Sequence, residues 1–228
     1  IYYHPRHAQN VTHLMERIKQ SLTYCQKHFG PYPFKIIRFA EISNFTQGFA
    51  GTAYPATIFM NEEIFHLNLD GFREQDVINQ LAGHELAHQW WGTVQLAPDD
   101  RQGSRVLTET LAMYTELMLY KAAHGEEKMQ EMVRLYEELY QSERGFSEDE
   151  PLYLAHPDNV NVVYNKGLLA MYELYMLMGE ERINHALRNL LIKHAYPNPP
   201  PTTLDLIREL QLAVPLDQKT RIDEILKK

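Results

Sequence analysis

The stretch Leu81-Ala82-Gly83-His84-Glu85-Leu86-Ala87-His88-Gln89-Trp90-Trp91-Gly92 decides the fold. It contains His-Glu-x-x-His. On a helix His84 and His88 share one face. Two imidazoles at that spacing can hold one zinc ion, and Glu85, one step round, can reach a water held by it. Val77, Leu81, His84, His88 and Trp91 recur at three- and four-residue steps. The spacing predicts a helix from about Arg73 to Trp91, with two histidines set into an apolar stripe. Burying unpaired imidazoles costs free energy, and a metal ion would be the partner that removes the penalty. Gly92 stands where such a helix would stop.

A catalytic zinc needs three protein ligands and one open position. A second helix is predicted from about Ser104 to His124. Between Val106 and Ala123 its only charges are Glu109, Glu116 and Lys121, so it is expected to be largely buried. Glu109 lies near its start, and Glu116, seven residues on, shares the face of Glu109. Unpaired buried carboxylates are expensive. Metal ligation by Glu109 accounts for one of them. A hydrogen bond from a ligating histidine to Glu116 accounts for the other. The plainer alternatives are a first-turn acid at Glu109 and an inter-helix ion pair at Glu116.

The 228 residues suffice for one substantial core, split into two lobes or not. A net charge of −8 and the lack of a basic stripe argue against nucleic acid as the partner. Cys25 is the only cysteine, which excludes an internal disulfide and speaks against thiolate ligation. No apolar run has the length of a membrane span, and no signal peptide is visible. The chain starts at Ile1 without methionine and is read as a piece of a longer protein.

Residues 1–72 read as a small α/β lobe. An extended start is followed by a helix from Val11 to Gly30, capped by Asn10. Strands are predicted at Phe34–Ile42 and Thr52–Met60, with Pro55 marking an edge or a bulge in the second. Ser43 to Gly51 reads as a loop. Residues 73–195 form a helical lobe with the zinc site, and 196–228 a helical tail after the Pro199-Pro200-Pro201 linker. Histidines away from the motif, such as His4, His7, His156 and His194, read as surface or turn residues. The fold class is therefore α+β and mostly α.

Three segments carry a family resemblance: HELAHQWWG at 84–92, LTETLAMYTE at 107–116 and VYNKG at 163–167. The chain resembles the gluzincin aminopeptidases, the aminopeptidase N family, over most of its length. The resemblance implies a thermolysin-like catalytic domain with one Zn2+ held by His84, His88 and Glu109. It also implies Glu85 as general base, Tyr164 as the hydroxyl that steadies the oxyanion, and a peptide as substrate. FGPYPF at 29–34 and PPTTLDLI at 200–207 are similar to bacterial members associated with ABC-type permeases. That likeness implies a permease partner and membrane association through parts outside this sequence. Two departures stand out. Twenty residues separate His88 from Glu109 where the family has eighteen, and Gln102 and Gly103 sit in the loop that absorbs the difference. The family's Gly-x-Met-Glu-Asn segment aligns with Ala50–Pro55, which puts Ala53 where a glutamate binds the substrate's amino group. Glu62 and Glu63 are the nearest replacements in sequence. Another zinc hydrolase (endopeptidase or epoxide hydrolase), a catalytically idle zinc-binding module of a transporter, and a metal-free helical scaffold remain as rivals.

Overall fold

The computed structural model describes residues 1–43, 50–66, 68, 76–92, 94–146 and 148–227. Leu14, Ile18, Cys25 and Phe29 recur at helical spacing and bury one face of α1 (Val11–Phe29). Asn10 does not cap this helix through its side chain; its Nδ2 donates to the Ile64 carbonyl instead, 2.9 Å away. The first residues are extended, with Tyr2 bridged in parallel to Ala40.

Three strands follow: β1 (Arg38–Ile42), β2 (Gly51–Tyr54) and β3 (Thr57–Asn61), in the sheet order β1-β3-β2. β1 and β3 run parallel, whereas β2 and β3 form an antiparallel hairpin. The strand expected over 52–60 is thus two strands. Pro55 presets the first turn position, and Ala56 takes a positive φ of 57°, so the chain reverses there rather than bulging. The strand expected from Phe34 starts only at Arg38. Pro55 does mark an edge, since β2 is the outer strand.

After the short α2 (Glu63–His66) comes α3 (Val77–Ala87), which carries the histidine motif. The loop expected at 43–51 and the helix start at Arg73 fall largely outside the described residues, as does the 72/73 lobe boundary. The helix ends at Ala87, four residues before the predicted Trp91. Its last turn tightens, with Gln89 N–H donating to Leu86 O and Trp90 N–H to Ala87 O, both at 2.9 Å. Ile78, Ala82 and Leu86 are the face set into the core, all with no exposure. Val77 and Leu81, of the apolar stripe read from sequence, are half-buried and line a cavity with His84, Leu81 also packing against the core.

α3 packs mainly on α1 and on α4 (Glu109–His124). Residues 110–120 of α4 are buried without a break, which fits its sparse charge. The paired tryptophans lock the end of α3 in place. Trp90 Nε1 donates to Gly30 O at the end of α1, at 3.1 Å, and Trp91 Nε1 donates to Thr115 Oγ1 of α4, at 3.0 Å. The remaining helices are α5 (Glu126–Glu143), α6 (Gly167–Met178), α7 (Glu180–His194), α8 (Thr203–Leu212) and α9 (Leu216–Leu226). A π-helical turn over Asn161–Lys166 leads into α6. None of the helices described is long and apolar enough to cross a membrane. The architecture is α+β and mostly helical, as the sequence predicts.

Candidate metal centre

Helical spacing points His84 of α3 and His88, the αR residue that caps its C-terminal end, toward the first turn of α4. There both Nε2 atoms meet one oxygen: His84 lies 3.3 Å and His88 3.4 Å from Glu109 Oε2. With zinc bonds to nitrogen and oxygen of about 2.0–2.1 Å, the ligand atoms of a tetrahedral site stand about 3.3 Å apart. Both imidazole-to-carboxylate spacings therefore already match what a zinc ion requires, and the three donor atoms all lie within 4.8 Å of one another.

The other nitrogen of each ring is also engaged. His84 Nδ1 lies 3.2 Å from Glu116 Oε2, and His88 Nδ1 lies 3.0 Å from the Trp91 carbonyl. These contacts orient both rings with Nε2 toward the centre. The early end of α3 supplies the second of them, because it frees the Trp91 carbonyl to turn back on His88. Glu116 takes a further hydrogen bond from the Tyr136 hydroxyl of α5.

Electrostatics point the same way. Burial alone would lower the His84 pKa, but hydrogen bonds to Glu109 and Glu116, reinforced by the charges of Glu116 and Glu85, raise it to about 10. Burial also opposes ionisation of Glu109, yet the two imidazoles hold its carboxyl well below the usual carboxylate range. The Glu116 carboxyl is pushed up by its own burial. Three acids around two buried rings create a demand for positive charge at the Nε2 atoms, which a divalent cation meets.

Glu85 points into the cleft beside the imidazoles. Burial raises its pKa, Glu109 and Glu116 add to the rise, and the two histidines oppose it. The Tyr164 ring stacks on His84, with centroids 5.8 Å apart and planes at 17°. Its hydroxyl bonds to Glu109, and burial followed by that carboxylate pushes its pKa up. Tyr164 sits in the π-helical turn, a local widening that recurs at functional sites. Thr110 Oγ1, next to Glu109, donates to the Val163 carbonyl of that turn at 2.6 Å.

The cleft continues along β2. One cavity, of about 470 Å³, is lined by Val77, Leu81, Met113 and Tyr136 beside His84 and Glu85. A second hollow, of about 430 Å³, brings Thr52, Ala53 and Arg105 to the same centre. Gln89 fixes the hairpin over it: its Oε1 accepts from Ala56 N and its Nε2 donates to Tyr54 O, both at 3.0 Å. Glu62 lines a different hollow, away from the cleft, with His7 and Glu41. Arg105 was not singled out from sequence. Its Nη2 donates to Glu109 Oε1 at 3.2 Å and its Nη1 to Pro157 O at 3.0 Å. The four-residue spacing from Arg105 to Glu109 was the available signal.

Residues 13–228 match the peptidase family M1 domain. The chain belongs to peptidase family M1. Solved structures share the fold of this M1 domain. The M1 zinc metallopeptidase from Deinococcus radiodurans aligns with a TM-score of 0.69 at 21% identity, over 92% of this chain and 44% of that one. Native yeast LTA4 hydrolase aligns with a TM-score of 0.75 at 17% identity, over 97% of this chain and 35% of that one. The M1 domain thus spans less than half the length of these proteins. No curated protein matches it. Zinc is the cofactor of this family, and among the described residues His84, His88 and Glu109 form a group able to hold it.

Proposed function

We propose that this M1 domain is the catalytic part of a zinc-dependent aminopeptidase, with His84, His88 and Glu109 as zinc ligands. The convergence of both Nε2 atoms on one Glu109 oxygen, beside the Glu85 carboxyl, carries the reading. When bound, zinc supplies Lewis-acid chemistry, making water a nucleophile near neutral pH and polarising the scissile carbonyl. Glu85 takes a proton from the attacking water and passes it to the leaving amine. Its raised pKa suits a group that must accept and then release a proton. The Tyr164 hydroxyl, kept protonated by its surroundings, donates to the oxygen on which negative charge develops. Glu116 and the Trp91 carbonyl hold the imidazoles in register. The edge strand β2, at the rim of the cleft, is placed to pair with an extended peptide.

The aminopeptidase type is supported by analogy. The Deinococcus enzyme has been seen, as its E323A mutant, with a Tyr-Ser-Ala substrate, and a two-domain M1 zinc metallopeptidase E323A mutant with L-arginine. Ala53, which lines the cleft and is the residue that aligns in sequence with the family's amine-binding glutamate, favours a second reading. That reading is a peptidase indifferent to a free amino terminus. Amino-acid anilides, together with free and amino-blocked peptides, test both. Zinc-loaded protein is expected to cleave the anilides. Glu85→Gln is expected to lose about 10²–10⁴-fold in rate at unchanged zinc content. Equal rates on blocked and free peptides would favour the second reading. No turnover of any peptide by the zinc-loaded chain would overturn both.

A further inference from the structure

We propose that His7, Glu41 and Glu62 form a second metal site, which takes a late first-row divalent cation such as zinc and fastens the N-terminal segment to the sheet. Among the described residues, two groups bring three histidine or carboxylate donor atoms within 4.8 Å of one another. One is the centre on α3 and α4, and the other is this trio.

The backbone assembles it from three separate stretches. Glu41 lies on β1, and its N–H donates to Tyr2 O at 2.9 Å, which docks the chain start along that strand. Glu62 directly follows β3, the parallel neighbour of β1, and its N–H donates to Ile42 O at 2.9 Å. A turn closed by His7 N–H to His4 O, at 2.8 Å, then folds His7 back over both acids. His7 Nδ1 stands 2.5 Å from Glu41 Oε1, while Glu41 Oε2 accepts from the His4 N–H at 2.6 Å. The His66 ring packs on His7 with centroids 4.4 Å apart, which limits how the imidazole can turn.

One imidazole and two carboxylates form a donor set suited to zinc and its neighbours. The pair His7–Glu41 need open by less than about 1 Å to reach the ligand spacing of a tetrahedral ion. The trio faces a hollow of about 500 Å³, so water can complete the coordination and an ion has a way in. Arg6 lines the same hollow and offsets part of the negative charge when no ion is held. The site adds a cross-link between the first residues, β1 and β3, with no group shared with the catalytic cleft.

The test removes the other centre first. His88→Ala is dialysed against near-stoichiometric zinc, and bound metal is counted per chain. One retained ion is expected, with a zinc-dependent rise in melting temperature. Adding Glu62→Gln, which keeps the side chain's size, is expected to abolish both, and adding His7→Ala to do the same. An ion count of zero in His88→Ala overturns the site, leaving an ion pair only. An ion that persists in both double variants overturns it as well. Neither result depends on whether the α3–α4 centre hydrolyses peptides.

Discussion

Gly51 on β2 lies so close to Glu85 on α3 that a Cβ added there would stand 2.8 Å from Glu85 Oε1 and 2.9 Å from its Cδ. The missing side chain is what lets the strand edge pass over the carboxyl. In Gly51→Ala the flexible tip of Glu85 gives way, so the fold is expected to survive with little change in melting temperature. The carboxyl then leaves its position beside the imidazoles. A misplacement of this size costs on the order of 100-fold in kcat. Steady-state kinetics with parallel metal analysis check it: kcat falls while zinc content stays at the wild-type level.

Glu116 and Glu85 make opposite predictions for metal affinity. Glu116 holds the outer nitrogen of His84, and its carboxylate charge strengthens that ring as a donor. Glu116→Gln is expected to weaken zinc binding by about 10–100-fold. Glu85→Gln, which alters no ligand contact, is expected to leave it near the wild-type value. Competition with a chelator separates the two. Equal losses in both variants would count against the role assigned to Glu116.

The candidate metal centre was legible because the side chains able to hold an ion sit at helical spacings that local sequence fixes: His84 on α3 to its C-cap residue His88, and Glu109 to Glu116 along α4. Glu116 reaches His84 as that spacing implied. Much of the rest depends on contacts between segments far apart in sequence. The end of α3 at Ala87 is set by the docking of Trp90 on Gly30 and Trp91 on Thr115, and periodicity does not report docking. The same periodicity placed Val77 and Leu81 in an apolar stripe without reporting the cavity they line, since a cavity lined with apolar groups has the pattern of an interior. The hairpin at Pro55-Ala56 was missed because a positive φ at alanine has no composition signal. Tyr136 behind Glu116 and His7 beside Glu41 join residues twenty or more positions apart, which no short motif spans.

Asp76 caps α3 and ties it to its neighbours. Its Oδ1 accepts from Asn79 N–H at 3.0 Å and lies 2.8 Å from His13 Nε2, while its Oδ2 lies 3.0 Å from His124 Nε2. Burial would raise its pKa, but the bonds from His13 and Asn79, with the charges of His13 and Arg17, outweigh it and hold the carboxyl below its ordinary value. A depressed folded-state pKa stabilises the protein above the unfolded value of about 3.9, and the gain is lost as pH falls through the folded value. Asp76→Asn is expected to destabilise by about 1–2 kcal/mol near neutrality. Denaturant melts from pH 5 to pH 3 are expected to show that gap shrinking below about pH 4. A gap that widens in acid would contradict the assignment.

Gly167 and Thr110 hold the turn that carries Tyr164, and their coupling can be measured. A Cβ on Gly167 would lie 2.5 Å from Thr110 Oγ1, the atom that donates to Val163 O. Gly167→Ala overpacks the contact between α4 and the turn, at a penalty of about 1–3 kcal/mol. Thr110→Ala removes the hydroxyl that donates to the buried Val163 carbonyl, at a penalty of about 0.5–1.5 kcal/mol. The two changes touch the same space, because shortening Thr110 makes room for the new methyl. The double variant is therefore expected to be more stable than the sum of the single losses implies, with a coupling of at least about 0.5 kcal/mol. Chemical denaturation of the four proteins reads that coupling directly. Strict additivity would mean that the turn is held by other contacts. Both single variants are also expected to lower kcat, because the turn that shifts is the one that stacks Tyr164 on His84.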